Sequence, residues 1–331
     1  MHQLWPIDAS SYDRHELHDV DRAWPESNCY VDLWVELLHA SGMEPLAGLP
    51  FAFAVDLEGD QWTFFKFPLA DLDRLYGIEV FEVNVWRQLL AHLDEQLALG
   101  RPCLVEVDAF HLPDTAGTSY LAEHVKTTIG IQGLDRSGRR LGYFHNAGYY
   151  QLADADFAGL FRLDGHAAGP DTLPPYVEAA KLGVRPPLNG RALVTASIEL
   201  LNAHLTRLPR TNPFHRYAAR FPVDLDRLTS GPMDQFHAYA FATLRQCGSA
   251  FELGGAYLRW LQANGEAGLE PLAACCDDIA VAAKTLQFKA ARFVNTTRPF
   301  DPAPLLETMA QGWDETMTGL TERYGALAHH A

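Results

Sequence analysis

Trp24-Pro25-Glu26-Ser27-Asn28-Cys29-Tyr30-Val31-Asp32-Leu33-Trp34-Val35-Glu36-Leu37-Leu38-His39-Ala40-Ser41-Gly42 carries the pattern around which the rest of the chain is read. Tyr30, Leu33, Trp34, Leu37 and Leu38 recur at three- and four-residue spacing, which predicts a helix with one apolar face. Ser27 or Asn28 can accept a backbone N–H as its N-cap, and Ser41-Gly42 stops it. Cys29 then falls in the first turn, where unpaired N–H groups and the helix dipole favour a thiolate, the nucleophilic form of cysteine. A small buried residue at a helix start is the other reading of the same position.

Downstream, the alternation of Phe51, Phe53 and Val55 predicts one short strand over 51–56. Residues 61–67 predict a second, with Gly59-Asp60 as the turn. Pro68 opens a helix carrying Leu69, Leu72 and Leu75, and Gly77 ends it. Strands are expected at 78–83 and 102–108, with an amphipathic helix over 85–99 between them. A polar loop, 109–118, leads to a hairpin of strands starting at His124 and Arg140 about the turn Arg136-Ser137-Gly138. Gly165 to Pro175 reads as a connector, 176–180 as a last strand, and Arg185-Pro186-Pro187 as a break. Helical spacing then dominates 191–206, 213–221, 234–263, 270–294 and 302–325. The expectation is α+β: an antiparallel sheet with a leading helix over 1–180 and a helical region over 181–331.

The 331 residues suffice for a sizeable core, and apolar and charged contents of 48% and 21% are those of a globular chain. No apolar run is long enough to span a membrane, and the acidic first 24 residues lack the apolar stretch of a signal peptide. Five cysteines without CxxC or finger spacing point to free thiols in a reducing cytoplasm. A net charge of −16 argues against nucleic acid or an anionic membrane as partner. Phosphate-binding glycine loops are absent, so no nucleotide cofactor is expected.

Two constellations carry chemistry. Cys29, His124 and Asn146 offer, in that order, a thiol, a base at a strand start and an amide at the end of the next strand. A hairpin with arms of comparable length is expected to set His124 near Asn146, although either His145 or Asn146 can be the one facing inward. Asp108, His111, Asp114, His124 and His145 are metal-ligand types. They lack HxxxH or HxH spacing, and turn chemistry explains Asp108 and His111, so no metal is expected. Cys247, Cys275 and Cys276 fall mid-helix and read as packing. His204, Arg207, Arg210, His215, Arg216 and Arg220 form a basic cluster on an acidic chain, either a solvated face or a dock for an acidic partner.

The order Cys at a helix start, His at a strand start and Asn on the next strand resembles the papain-like cysteine peptidase fold. Asp108-Ala109-Phe110-His111-Leu112-Pro113 and His124-Val125-Lys126-Thr127-Thr128-Ile129-Gly130 are similar to stretches of the BtrH-like acyltransferases of butirosin biosynthesis. Over nearly its whole length the chain also resembles a bacterial family filed as domain of unknown function 1839. That resemblance rests on Gly59-Asp60-Gln61-Trp62-Thr63-Phe64-Phe65-Lys66, Glu123-His124-Val125-Lys126-Thr127-Thr128, Tyr143-Phe144-His145-Asn146-Ala147-Gly148-Tyr149 and the stretch Phe236 to Cys247. Asn146 stands where many relatives carry an acid, and the glutamine that usually donates to the oxyanion before the nucleophile is missing.

The resemblance implies a cysteine acyltransferase that takes an aminoacyl group from the phosphopantetheine thioester of a carrier protein and passes it to a small amine. Cys29 would be the nucleophile, His124 the base and acid, and Asn146 the residue orienting the imidazole. Asp108, Phe110, His111 and Trp62 would contact substrate. Arg207, Arg210, Arg216 and Arg220 would dock the acidic carrier protein. Aromatic residues (Trp62, Phe64, Phe65, Phe110, Tyr143, Phe144, Tyr149 and Tyr150) are dense where a water-excluding wall is needed, or are simply core. The rivals are a papain-like peptidase, amidase or thioesterase with water as acceptor, and a non-catalytic module that binds the carrier protein.

Overall fold

The computed structural model describes residues 1–165 and 174–325. The greater part of the expected connector, residues 166–173, lies outside the described residues. In chain order the strands are β1 (His2–Gln3), β2 (Leu57–Glu58), β3 (Gln61–Trp62), β4 (Glu79–Glu82), β5 (Cys103–Asp108), β6 (Lys126–Asp135), β7 (Arg140–His145), β8 (Gly148–Ala153) and β9 (Val177–Lys181). The helices are α1 (Cys29–Ala40), α2 (Leu69–Tyr76), α3 (Leu89–Ala98), α4 (Asp154–Leu160), α5 (Gly190–Leu205), α6 (Pro213–Leu228), α7 (Met233–Ala240), α8 (Gln246–Ala263), α9 (Glu270–Thr296) and α10 (Ala303–Tyr324). A π-helical turn, Phe241–Arg245, joins α7 to α8. The protein is α+β, with an antiparallel sheet and a helical C-terminal region.

Two compact units share the chain. Met1–Glu16, Asn28–Pro45 and Leu69–Leu188 form the first; Leu17–Ser27, Leu46–Pro68 and Asn189–Ala331 form the second. The first is built on a sheet in the order β4-β9-β5-β6-β7-β8, with β1 added along β6. All its pairings are antiparallel. One face carries the apolar core: Leu90, Leu93 and Leu97 of α3 and Phe157 and Leu160 of α4 cover Val105, Ile129, Ile131, Tyr143 and Val177. The other face takes α1.

Asn28, in an extended conformation, caps α1, its Oδ1 accepting from Tyr30 N at 3.2 Å and Val31 N at 3.1 Å. Of the two expected caps it is Asn28 that serves. Ser41 Oγ closes the other end on the Leu37 carbonyl at 2.7 Å, and Gly42 leaves with a positive φ. Besides the expected apolar stripe, Val31, Asp32, Val35 and Glu36 are also buried, so α1 is enclosed nearly all round. Glu36, 0% exposed, is satisfied by Tyr12 Oη at 2.5 Å and His15 N at 3.1 Å.

Glu178, Leu104, Gly130, Phe144 and Tyr149 are successive cross-strand partners, and so form a row across the sheet. α1 lies along that row. Tyr30 donates to Glu178 at 2.9 Å, and Leu33 Cδ1 sits 3.4 Å from where a Cβ on Gly130 would be. Farther on, Tyr12, held by Glu36, packs its ring 5.8 Å from Phe144 and 5.9 Å from Tyr149.

In the second unit the aromatics of 46–68 pack on helices of the same unit. Phe53 meets Tyr257 at 6.2 Å, and Trp62 stands against Phe214 at 4.7 Å and Tyr217 at 6.0 Å. Here the structure departs from the expected strands. Residues Pro50–Ala54 form a 3-10 turn opened by Pro50, with Phe51 and Phe53 both buried, so their alternation does not separate two faces. Only Gln61–Trp62 of the expected 61–67 strand pairs. The helix expected from 85 begins at Leu89, and Trp86, taken for its apolar face, is exposed. Strand β8 and helix α4 were not expected at all.

Among the described residues no helix is long and apolar enough to cross a membrane.

Candidate functional site

The strand face beneath α1 turns polar toward the ends of β5, β6 and β9. Asp108 pairs with Lys126 and Glu106 with Thr128, and alternation puts these residues on the same face as Leu104 and Gly130. Tyr176, just before β9, donates to Glu178 Oε1 at 2.9 Å, while Glu178 Oε2 accepts from Tyr30. Burial and then the Glu178 carboxylate push the Tyr176 hydroxyl up to about 12, so it remains a donor at neutral pH. Lys126 Nζ meets Glu106 Oε1 at 2.9 Å. Beyond them His124 Nδ1 lies 2.6 Å from Asp108 Oδ2. A polar track thus runs from Tyr30 in the first turn of α1 to His124.

Local structure fixes the far end. Asp108 caps the turn Ala109–His111, its Oδ1 accepting from Phe110 N at 3.1 Å. Burial pushes the Asp108 carboxyl up, but hydrogen bonds from His124 and Phe110 outweigh it and hold it below the usual carboxylate range. Phe110 stacks on the His124 ring at 4.5 Å and 13°. The imidazole is clamped between a carboxylate and a ring, yet its side chain is 73% exposed. In a neutral ring that donates Nδ1–H to this carboxylate, the lone pair is on Nε2. An open groove of about 340 Å³ adjoins it, lined in part by Glu106, Asp108, Lys126 and Arg162.

Cys29 is half-buried at the start of α1, and Cys275 is also half-buried, while the other three cysteines are buried. His124 is not brought beside Asn146. Gly130 pairs with Phe144, so the register carried onward sets Asn146 opposite Thr128. His124 lies four residues, about 13 Å, from that position. Asn146 itself occupies the two-residue turn between β7 and β8 with φ 45°. The residue that meets the His124 ring is Asp108, which the sequence assigns to substrate contact.

Three further expectations are corrected. Trp62 is core of the helical unit, 1% exposed against Phe214, and not a substrate contact. His111 touches Phe110 edge-on at 5.1 Å and fills the space over Gly159 of α4, where a Cβ would run into its ring. Of the four arginines, Arg216 is paired with Asp56 and Arg220 with Asp224, Arg207 contacts His204 Nδ1 at 2.6 Å, and Arg210 is exposed, so two of the four charges expected to dock a partner are already paired. Of the expected aromatic wall, Phe110 reaches His124, whereas Tyr143, Phe144 and Tyr149 are buried.

The remaining metal-type residues separate into a second cluster on the opposite face. His145 Nδ1 meets Asp114 Oδ2 at 2.5 Å and its Nε2 meets Thr127 Oγ1 at 2.8 Å. Tyr143 donates to the other Asp114 oxygen. The side chains of His145 and Asp114 are 2% and 4% exposed, so this Thr–His–Asp chain is closed to a substrate and serves as a structural lock. Among the described residues no group of three or more His, Cys, Asp or Glu is arranged to hold a metal ion.

No curated protein matches the chain. Residues 13–182 match the model of the DUF1839 N-terminal domain and residues 190–322 that of the DUF1839 C-terminal domain, so the protein belongs to the DUF1839 family.

Proposed function

We infer that the protein is a cysteine-dependent acyltransferase with a papain-like arrangement, moving an aminoacyl group from a carrier-protein phosphopantetheine thioester to an amine. The observation that carries this reading is the Asp108–His124 contact, which leaves a base at the mouth of a groove on the face that α1 covers. Cys29 begins that helix. In the reading, His124 Nε2 takes the Cys29 proton, and the thiolate attacks the thioester carbonyl and expels the pantetheine thiol, which receives the proton. The incoming amine then displaces Cys29 from the acyl group, its proton passing through His124 to the cysteine sulfur. Arg162, without an ion-pair partner among the described residues, offers a cation for the phosphate of the arm.

A second reading is favoured by the register that sets Thr128, not a histidine, opposite Asn146. It makes the groove a binding site for the carrier arm and Cys29 a packing residue.

Intact mass after incubation with an aminoacyl carrier protein, without acceptor, separates the two. A persistent adduct absent from Cys29→Ala, and formed at least about a hundredfold more slowly by His124→Ala, supports transfer. Fast release of free amino acid without an adduct indicates a thioesterase. Binding without adduct or release leaves the module.

A further inference from the structure

We propose that a groove in the helical unit, bounded by the β2–β3 turn, α6 and α7, binds a small zwitterion, a free α-amino acid. The groove measures about 280 Å³, room for one such molecule. Its charges come in opposite pairs: Arg220, Asp224 and Arg227 from α6, and Asp60 from the turn. The α6 residues stand at i, i+4 and i+7, on one face of the helix, so the two guanidinium groups flank the carboxylate.

The charges are unequally satisfied. Asp224, 5% exposed, is bound by Arg220 Nε at 2.8 Å. Arg227 and Asp60 have no ion-pair partner among the described residues. One unspent cation and one unspent anion therefore border the same small space. A simple anion there would meet two carboxylates and a simple cation two guanidinium groups. A molecule carrying both charges meets neither penalty: its carboxylate takes Arg227 and its ammonium takes Asp60. Gln61 and Gln235 add amide donors and acceptors at the rim.

Part of the lining is apolar. Leu228, Ala238 and Ala242 supply it, and the two alanines, one helical turn apart, leave space for a side chain. Ala242 belongs to the π-helical turn Phe241–Arg245, whose extra residue widens the backbone; such turns recur at functional sites. Thr243 Oγ1 in that turn donates to the Tyr239 carbonyl at 2.7 Å.

The test uses the full chain and ligand-observed NMR with free L-amino acids, each compared with its N-acetyl and its C-amide derivative, and with inorganic phosphate. The free amino acid is expected to bind, and loss of either charge to weaken binding about tenfold or more. Arg227→Gln should abolish the preference of acid over amide while keeping that of free amine over acetylated. Asp60→Asn should do the reverse. Both residues are on the surface, so neither change threatens the fold. No binding of any free amino acid at about 10 mM, phosphate binding as well as the amino acids, or preferences unchanged in both variants would overturn the proposal.

Discussion

At the residue scale the five thiols are not equivalent. Burial pushes Cys103 and Cys276 up to about 12 and Cys247 higher still. Burial and the Glu315 carboxylate raise Cys275 to about 11. A thiol at that value is roughly one part in ten thousand thiolate at neutral pH, and the thiolate is what reacts. Cys29 is therefore expected to take iodoacetamide first, with peptide mass mapping as the check. Labelling of Cys275 ahead of Cys29 would remove the thiol from the proposed chemistry. The sequence pointed to Cys29 because helix spacing and a capping residue are local signals, and both are realised. It also singled out His124 and Asp108. It did not assign Asp108 to the imidazole, since that bond joins residues sixteen apart in the chain and depends on the pairing of β5 with β6.

At the scale of elements the β6–β7 hairpin decides which histidine faces which side. From Asp135↔Arg140 to Gly133↔Gly142 the pairing runs in step; it then shifts to Ile131↔Tyr143. Gln132 is the extra residue, and its side chain is used: Oε1 accepts from Leu4 N and Trp5 N, each at 3.0 Å, and Nε2 donates to Tyr149 Oη. A one-residue shift exchanges the faces of a strand relative to its partner. It brings His145 onto the face of Thr127 and turns it toward Asp114. No hydrophobic pattern announces such a bulge; the pairing of His124 with Asn146 fails for another reason, the unequal arms of the hairpin, ten residues in β6 against six in β7. The lock it creates is testable. Asp114→Ala strips His145 and the buried Tyr143 hydroxyl of their acceptor, and should cost about 3 kcal/mol in urea unfolding, the scale for opening a buried pair. Below about 1 kcal/mol the cluster would not be a structural lock.

At the scale of the whole molecule the chain is not cut once. The sequence marks a change of character after about residue 165 and a helical region beyond 181, because helical spacing replaces alternation there. Nothing local shows that 17–27 and 46–68 belong with the helices, since that membership rests on contacts across more than a hundred residues. Those contacts are specific. Trp24 Nε1 donates to the Ala280 carbonyl at 3.0 Å, and Trp24 N and Ala23 N donate to Glu252. The Ala47 carbonyl accepts from Ser197 Oγ at 2.7 Å, and a Cβ on Gly254 would press on the Phe53 ring. A fragment of residues 189–331 lacks Trp24, Phe51, Phe53 and Trp62, and so exposes the apolar surface they cover. Each large aromatic lost from a core costs about 3–5 kcal/mol, against a total stability of only about 5–15 kcal/mol. The fragment is therefore expected to keep helical far-ultraviolet dichroism while losing the near-ultraviolet signal and a cooperative thermal transition. The full chain should show both. A fragment that melts cooperatively with fixed aromatic signals would mean that the helices form their core without the two returning segments.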